Sequence, residues 1–249
     1  MLLGARNDFS LASKPGAWNE LALTLPVFLV YQVGVVFLNV RNATDLVTAQ
    51  LLELAHGDRA TYLEMTGAIG LGTAAVFAVL GRGQPFRWGK LVQMAVEGGA
   101  YAIAMGTAAS WVVGKLFAGL HAAEVGGPFA GVVMSFGAGF YEELAFRVLL
   151  FGAGARVLAW VVTGRPLVGR LSRAPMTTTE TCATVVWAVA SAAVFSGMHY
   201  FGALGDAFDM RSFVARGVLG LALTLVYFMR GFAAAVWTHA LYDLWVLAF

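Results

Sequence analysis

Charge is scarce in this sequence. Only 12% of its 249 residues are Asp, Glu, Lys or Arg, whereas 59% are hydrophobic. With a mean hydropathy of +0.76, the chain carries more apolar surface than one water-soluble core can bury, so its solvent is lipid. Cysteine is nearly absent as well. The single residue, Cys182, excludes an internal disulfide framework and any cysteine-based metal cluster, and its apolar neighbours predict a packing role. A net charge of +2 dispersed over the connections excludes the basic patch that a nucleic-acid binder needs. Polar tracts of domain size are also missing, which predicts a single integral membrane domain over residues 1–249. The N-terminus has Arg6, Asp8 and Lys14 in it and no long apolar run before a small-residue cleavage site, so it reads as a retained cytosolic tail.

Apolar runs, by contrast, are abundant. About twenty residues cross a bilayer as a helix, and runs near that length lie at 18–40, 61–80, 91–114, 141–162, 182–201, 213–229 and 232–249. The expected fold class is all-α, a polytopic transmembrane helix bundle of about seven spans. The stretch 127–139 (GPFAGVVMSFGAG) is apolar but short and glycine-rich. It predicts a broken or re-entrant segment before the fourth span, facing protein or a water-filled cavity. Lys and Arg counted over alternate connections favour one side by roughly two to one. That bias places the N-terminus and the arginine-rich 165–173 loop in the cytoplasm of a multi-pass cell-membrane protein, with a bacterial inner or plasma membrane as the expected setting.

Charged groups inside a span cost several kcal/mol unless paired or hydrated, so they mark function by default. The densest group opens the fourth span: Glu142, Glu143 and Arg147. Glu143 and Arg147 are four apart and share a helix face, with the acid toward the N-terminus as such a pair prefers. Glu142 is rotated about 100° away and is left free to face a cavity as a base. A second group, Phe195 and His199 at the end of the fifth span, is again spaced by four, so the ring can shape the pocket that the imidazole enters. Glu142 begins one helix and His199 ends the next, antiparallel one, which puts them at one membrane level. In the last span His239 and Asp243 share a face, and the acid can orient the imidazole and fix its tautomer. Glu97, with no partner at short spacing, is assigned a structural role. The bland alternative for each group is a buried ion or hydrogen-bond network that only fixes helix packing.

These groups in this order resemble the CPBP family of membrane proteins, which includes CAAX prenyl-protein endopeptidases and bacteriocin-processing enzymes and is also called Abi. Its pattern is EExxxR, then FxxxH, then HxxxN or HxxxD. It is matched here by Glu142-Glu143 with Arg147, Phe195 with His199, and His239 with Asp243. The resemblance covers roughly the last half of the chain and places the motif-bearing core at about 127–249. It implies a glutamate-type intramembrane endopeptidase in which Glu142 and His199 activate water. His239 and Asp243 would stabilise the oxyanion, with Glu143 and Arg147 in support. Phe146 and Phe195 are expected to contact substrate, a membrane-anchored or lipid-modified peptide or protein.

The residues themselves agree with most of this. Peptide hydrolysis needs a base within reach of water and donors aimed at the developing oxyanion. No serine or cysteine sits beside these histidines as a nucleophile. No metal or cofactor is expected, although two histidines with carboxylates could bind zinc and the helical HExxH pattern is absent. A non-catalytic membrane scaffold or immunity protein and a proton-coupled transporter are the other readings.

Overall fold

The computed structural model describes residues 17–38, 42, 44–80, 88–117, 128–167, 175–202 and 205–248. The N-terminal tail and most of the 165–173 loop lie outside them. Every regular element among the described residues is helical: α1 (Ala17–Leu38), α2 (Leu46–Leu54), α3 (Arg59–Leu80), α4 (Trp88–Leu116), α5 (Pro128–Gly137), a wide-turn π-helix π1 (Ala138–Ala153), α6 (Gly154–Thr163), α7 (Thr178–Met198), α8 (Met210–Arg230) and α9 (Phe232–Ala248). Short polar residues start several of them by satisfying otherwise unpaired first-turn N–H groups. Asp45 accepts from Thr48 N at 2.8 Å, Asp209 accepts from Ser212 N at 2.8 Å, and Thr177 with Glu180 forms a capping box on α7. Only Gly231 separates α8 from α9. Its φ of 98° needs a glycine, and the Glu20 carboxylate accepts there from the N–H groups of Phe232 and Ala233.

Four helices among the described residues are long and apolar enough to cross a membrane: Asn19–Leu38, Pro128–Thr163, Thr178–Met198 and Met210–Arg230. α9 is apolar but 17 residues long, and α4 carries Lys90, Glu97 and Lys115 along its length. The expected count of about seven spans rests on sequence alone beyond those four.

The 127–139 stretch corrects an expectation. From Pro128 it is an unbroken helix that runs on through π1 and α6 to Thr163; Gly127 lies outside the described residues. Its glycines serve close packing instead of breaking the helix. A Cβ on Gly131 would stand 2.2 Å from the Leu247 carbonyl oxygen, and one on Gly139 would stand 2.7 Å from Ala240 Cβ, so α5 and π1 lie almost backbone to backbone with α9. On the other side of α9, a Cβ on Gly98 of α4 would meet Trp237 Cβ at 2.9 Å. The irregularity falls one step later, in π1, a helix type found frequently at functional sites. Trp187 Nε1 of α7 donates to the Leu150 carbonyl of this widened segment at 3.0 Å.

The outside of the bundle is apolar, and a polar cluster sits inside a core that is otherwise largely apolar. Glu142, Glu143, Arg147, Arg230 and His239 are buried, while Val185, Val186 and Val189 of α7 are exposed. Cys182 shares the exposed surface of α7, which corrects the expected packing role: its apolar neighbours face outward. Glu97 is held by Arg230 at 2.8 Å, joining α4 to the end of α8.

Candidate active site

Glu142, Glu143, Phe146 and Arg147 all lie on π1, His199 caps the C-terminus of α7, and His239 and Asp243 lie on α9. Antiparallel packing brings the three motifs together. Glu142 Oε1 accepts from Asn42 Nδ2 at 2.9 Å. Glu142 Oε2 has no hydrogen-bond partner although it is buried. It stands 3.8 Å from His199 Nε2 and 3.9 Å from His239 Nε2. These separations are too long for direct hydrogen bonds and short enough for one water to touch both sides.

The two histidines are held differently. His199 Nδ1 lies 2.9 Å from the Phe195 carbonyl oxygen. A carbonyl only accepts, so Nδ1 carries the proton, and Nε2 of the neutral ring presents its lone pair to the cavity. His239 Nδ1 donates to Glu143 Oε1 at 2.7 Å, and its Nε2 lies 3.3 Å from Asp243 Oδ2. With carboxylate oxygens against both nitrogens, this is the donor pattern of an imidazolium. The i, i+4 partner of His239 is therefore present, but Glu143 from the neighbouring helix makes the shorter contact and sets the ring. The nitrogen facing the cavity is the one that Asp243 touches.

Glu143 also meets Arg147, Nε to Oε2 at 3.2 Å, and both side chains are almost fully buried. The Arg147 guanidinium lies 4.2 Å above the Phe195 ring centroid, and its Nη2 reaches the Gly220 carbonyl of α8 at 3.4 Å. Phe195 packs edge-on against Phe146, His199 and His239, with ring centroids 5.2, 5.1 and 6.1 Å apart. Phe146 and Phe195 are buried behind the polar groups and do not line the cavity in front of them, so they shape the site from behind. Replacing Arg147 with alanine leaves Glu143 charged, buried and half-paired. The expected result is a loss of stability of about 3–5 kcal/mol, read as a lower yield and a lower thermal midpoint in detergent. A variant of normal yield and midpoint would show that the ion pair is not structural.

The cavity has a volume of about 620 Å³ and is walled by Asn42, Glu142, His199, His239 and Asp243, together with Asp209, the N-cap of α8, and Arg211 and Arg216 of α8. Arg216 pairs with Asp206 at 2.5 Å and lies over the Tyr200 ring. Asn42 is the site residue that motif reading missed, because a loop asparagine 100 positions from its partner leaves no periodic signal. A local hint exists in Asn42-Ala43-Thr44, a sequence suited to an Asx-turn.

Residues 124–245 match the family model described as Rce1-like, type II CAAX prenyl endopeptidase Rce1-like. No curated protein and no solved structure matches the chain. The matched residues hold all three motif groups and end two positions after Asp243.

Proposed function

From the match of residues 124–245 to the Rce1-like CAAX endopeptidase family model, we propose that this chain is a glutamate-dependent intramembrane endopeptidase acting without a metal. That match supports a CAAX-type intramembrane protease, and hence a peptide hydrolase at home in a bilayer. The finer reading is hydrolysis of a peptide bond near the membrane surface of a membrane-anchored or lipid-modified chain, by water held between Glu142 and His199. The observation that carries it is Glu142 Oε2, a buried carboxylate oxygen without a partner, with imidazole nitrogens 3.8 and 3.9 Å away.

The chemistry follows from the donor and acceptor pattern. A water between Glu142 Oε2 and His199 Nε2 meets two acceptors and gives one hydrogen to each, which turns an oxygen lone pair toward a carbonyl carbon in the cavity. As the C–O bond forms, Glu142 takes the proton. The carbonyl electron pair moves onto oxygen, where His239 Nε2–H is the donor, with its charge balanced by Glu143 and Asp243. Collapse of the adduct breaks the C–N bond, and the proton held by Glu142 passes to the leaving nitrogen. Phe146 and Phe195 keep the histidine rings in register.

The test is purified full-length protein in detergent with a farnesylated CAAX peptide, assayed with and without EDTA or phenanthroline. Cleavage of the peptide, unchanged by either chelator, is the expected result. One tightly bound zinc per chain, with activity lost on its removal and restored on its return, would establish a metalloprotease instead. No turnover of any membrane-anchored peptide would leave a transporter or a silent scaffold.

A further inference from the structure

We propose that Asn42 is a positioning residue for the cleavage reaction: from outside the family-matched half of the chain it holds Oε1 of Glu142 and thereby leaves Oε2 as the oxygen that takes the proton from water. The proposal rests on the reading of Glu142 as the base and adds to it which oxygen acts and what selects it.

The orientation of the Asn42 side chain is fixed by its surroundings. Its Oδ1 lies 2.8 Å from Thr44 N and 2.5 Å from Thr44 Oγ1. A backbone N–H only donates, so the atom facing it is the oxygen, and the NH₂ group has to face Glu142. The backbone is held as well. Asn42 N donates to the Tyr31 hydroxyl at 3.0 Å, and that hydroxyl donates to Asp45 Oδ2 at 2.6 Å. The other oxygen of Asp45 caps α2. Asn42, Tyr31 and Asp45 are all buried, so the amide is aimed from a packed support instead of a loose loop. Hydrogen bonds tie Asn42, Thr44, Tyr31 and Asp45 to one another. Among the described residues of the α1–α2 connection, Asn42 is the one whose side chain crosses to π1, in its bond to Glu142.

Its effect on Glu142 is electrostatic and geometric. A donor on Oε1 occupies that oxygen and leaves the bare Oε2 as the place where a proton arrives. The other charged or titratable groups around Glu142 are His199 at the end of α7, His239 and Asp243 from α9, Asp209 at the start of α8 with Arg211 and Arg216 from it, and Glu143 with Arg147 on its own helix. Among the described residues, Asn42 is the side chain within hydrogen-bond distance of either Glu142 oxygen.

Asn42→Ser separates positioning from loop holding. A serine hydroxyl accepts from the N–H two residues on, as the asparagine does, but is too short to reach Glu142. The full-length variant, assayed on the farnesylated CAAX peptide, should lose about 10- to 100-fold in kcat with KM little changed and the thermal midpoint preserved. The carboxyl infrared band of Glu142, recognised as the band lost in Glu142→Gln, should change frequency without any substrate, because one carboxyl oxygen has lost its donor. A wild-type kcat or an unmoved band overturns the proposal. If Asn42→Ser fails to accumulate, Tyr31→Phe removes the hydroxyl that supports Asn42 and should move the band the same way by a smaller amount; an unmoved band overturns it. An inactive Glu142→Gln beside a wild-type Asn42→Ser removes Asn42 alone, whereas an active Glu142→Gln removes the base reading and the proposal with it.

Discussion

Glu142→Gln is expected to reduce cleavage of a membrane-anchored peptide by about 100- to 10,000-fold while leaving yield, membrane insertion and thermal midpoint unchanged. The substitution removes the charge and almost no volume. A glutamine oxygen still accepts from Asn42 Nδ2, now 2.9 Å from Oε1, so the tie between the two halves of the chain survives. What is lost is the acceptor at Oε2: an amide nitrogen there cannot take a proton from water, and it faces the lone pair of His199 Nε2 as a donor. Activity is measured beside a melting curve of the same preparation. A variant cleaving near the wild-type rate would end the glutamate mechanism.

His239→Ala should lower kcat by about 100- to 1,000-fold, the usual cost of one oxyanion donor. The alanine also leaves Glu143 Oε1 without its 2.7 Å partner, but Glu143 keeps Arg147, so the stability loss should be smaller than in Arg147→Ala. That ordering separates chemistry from folding: His239→Ala is the worse enzyme and the better-folded protein of the two. Equal activity in His239→Ala and wild type would reduce the third motif to helix packing.

The reach of the sequence differed between contacts along a helix and contacts across helices. Glu143 with Arg147 and His239 with Asp243 are both four apart, and both pairs are formed, at 3.2 and 3.3 Å. Periodicity cannot reveal that Glu143 and His239, 96 positions apart, make the shorter bond of the network, so the residue that sets the imidazole was legible only as the partner of an arginine. Phe195 was expected in the pocket because it precedes His199 by one turn. Its burial under the Arg147 guanidinium depends on the packing of α7 against π1. The glycines of 127–139 were misread because glycine has two uses: it frees the backbone, and it lets another backbone come close. Only the position of α9 decides between them. The nine-residue α2 is too short to stand out from a polar connection by length, and with it Asp45 and the support of Asn42 went unseen.

The glycine contacts along α9 also set how far apart two walls of the cavity stand. At Gly98, Gly131 and Gly139 the backbones of α4, α5 and π1 press on α9 with no side chain between them. A joint of that kind has no rotamer to turn and no stem to bend, and parting it would open a slot through the bundle. α9 therefore acts as a fixed anvil carrying His239 and Asp243. α8 borders the cavity with Arg211, Ser212, Ala215 and Arg216. The distance between Glu142 on π1 and His239 on α9 is thus set by a backbone contact, Gly139 against Ala240, and not by the side chains that do the chemistry.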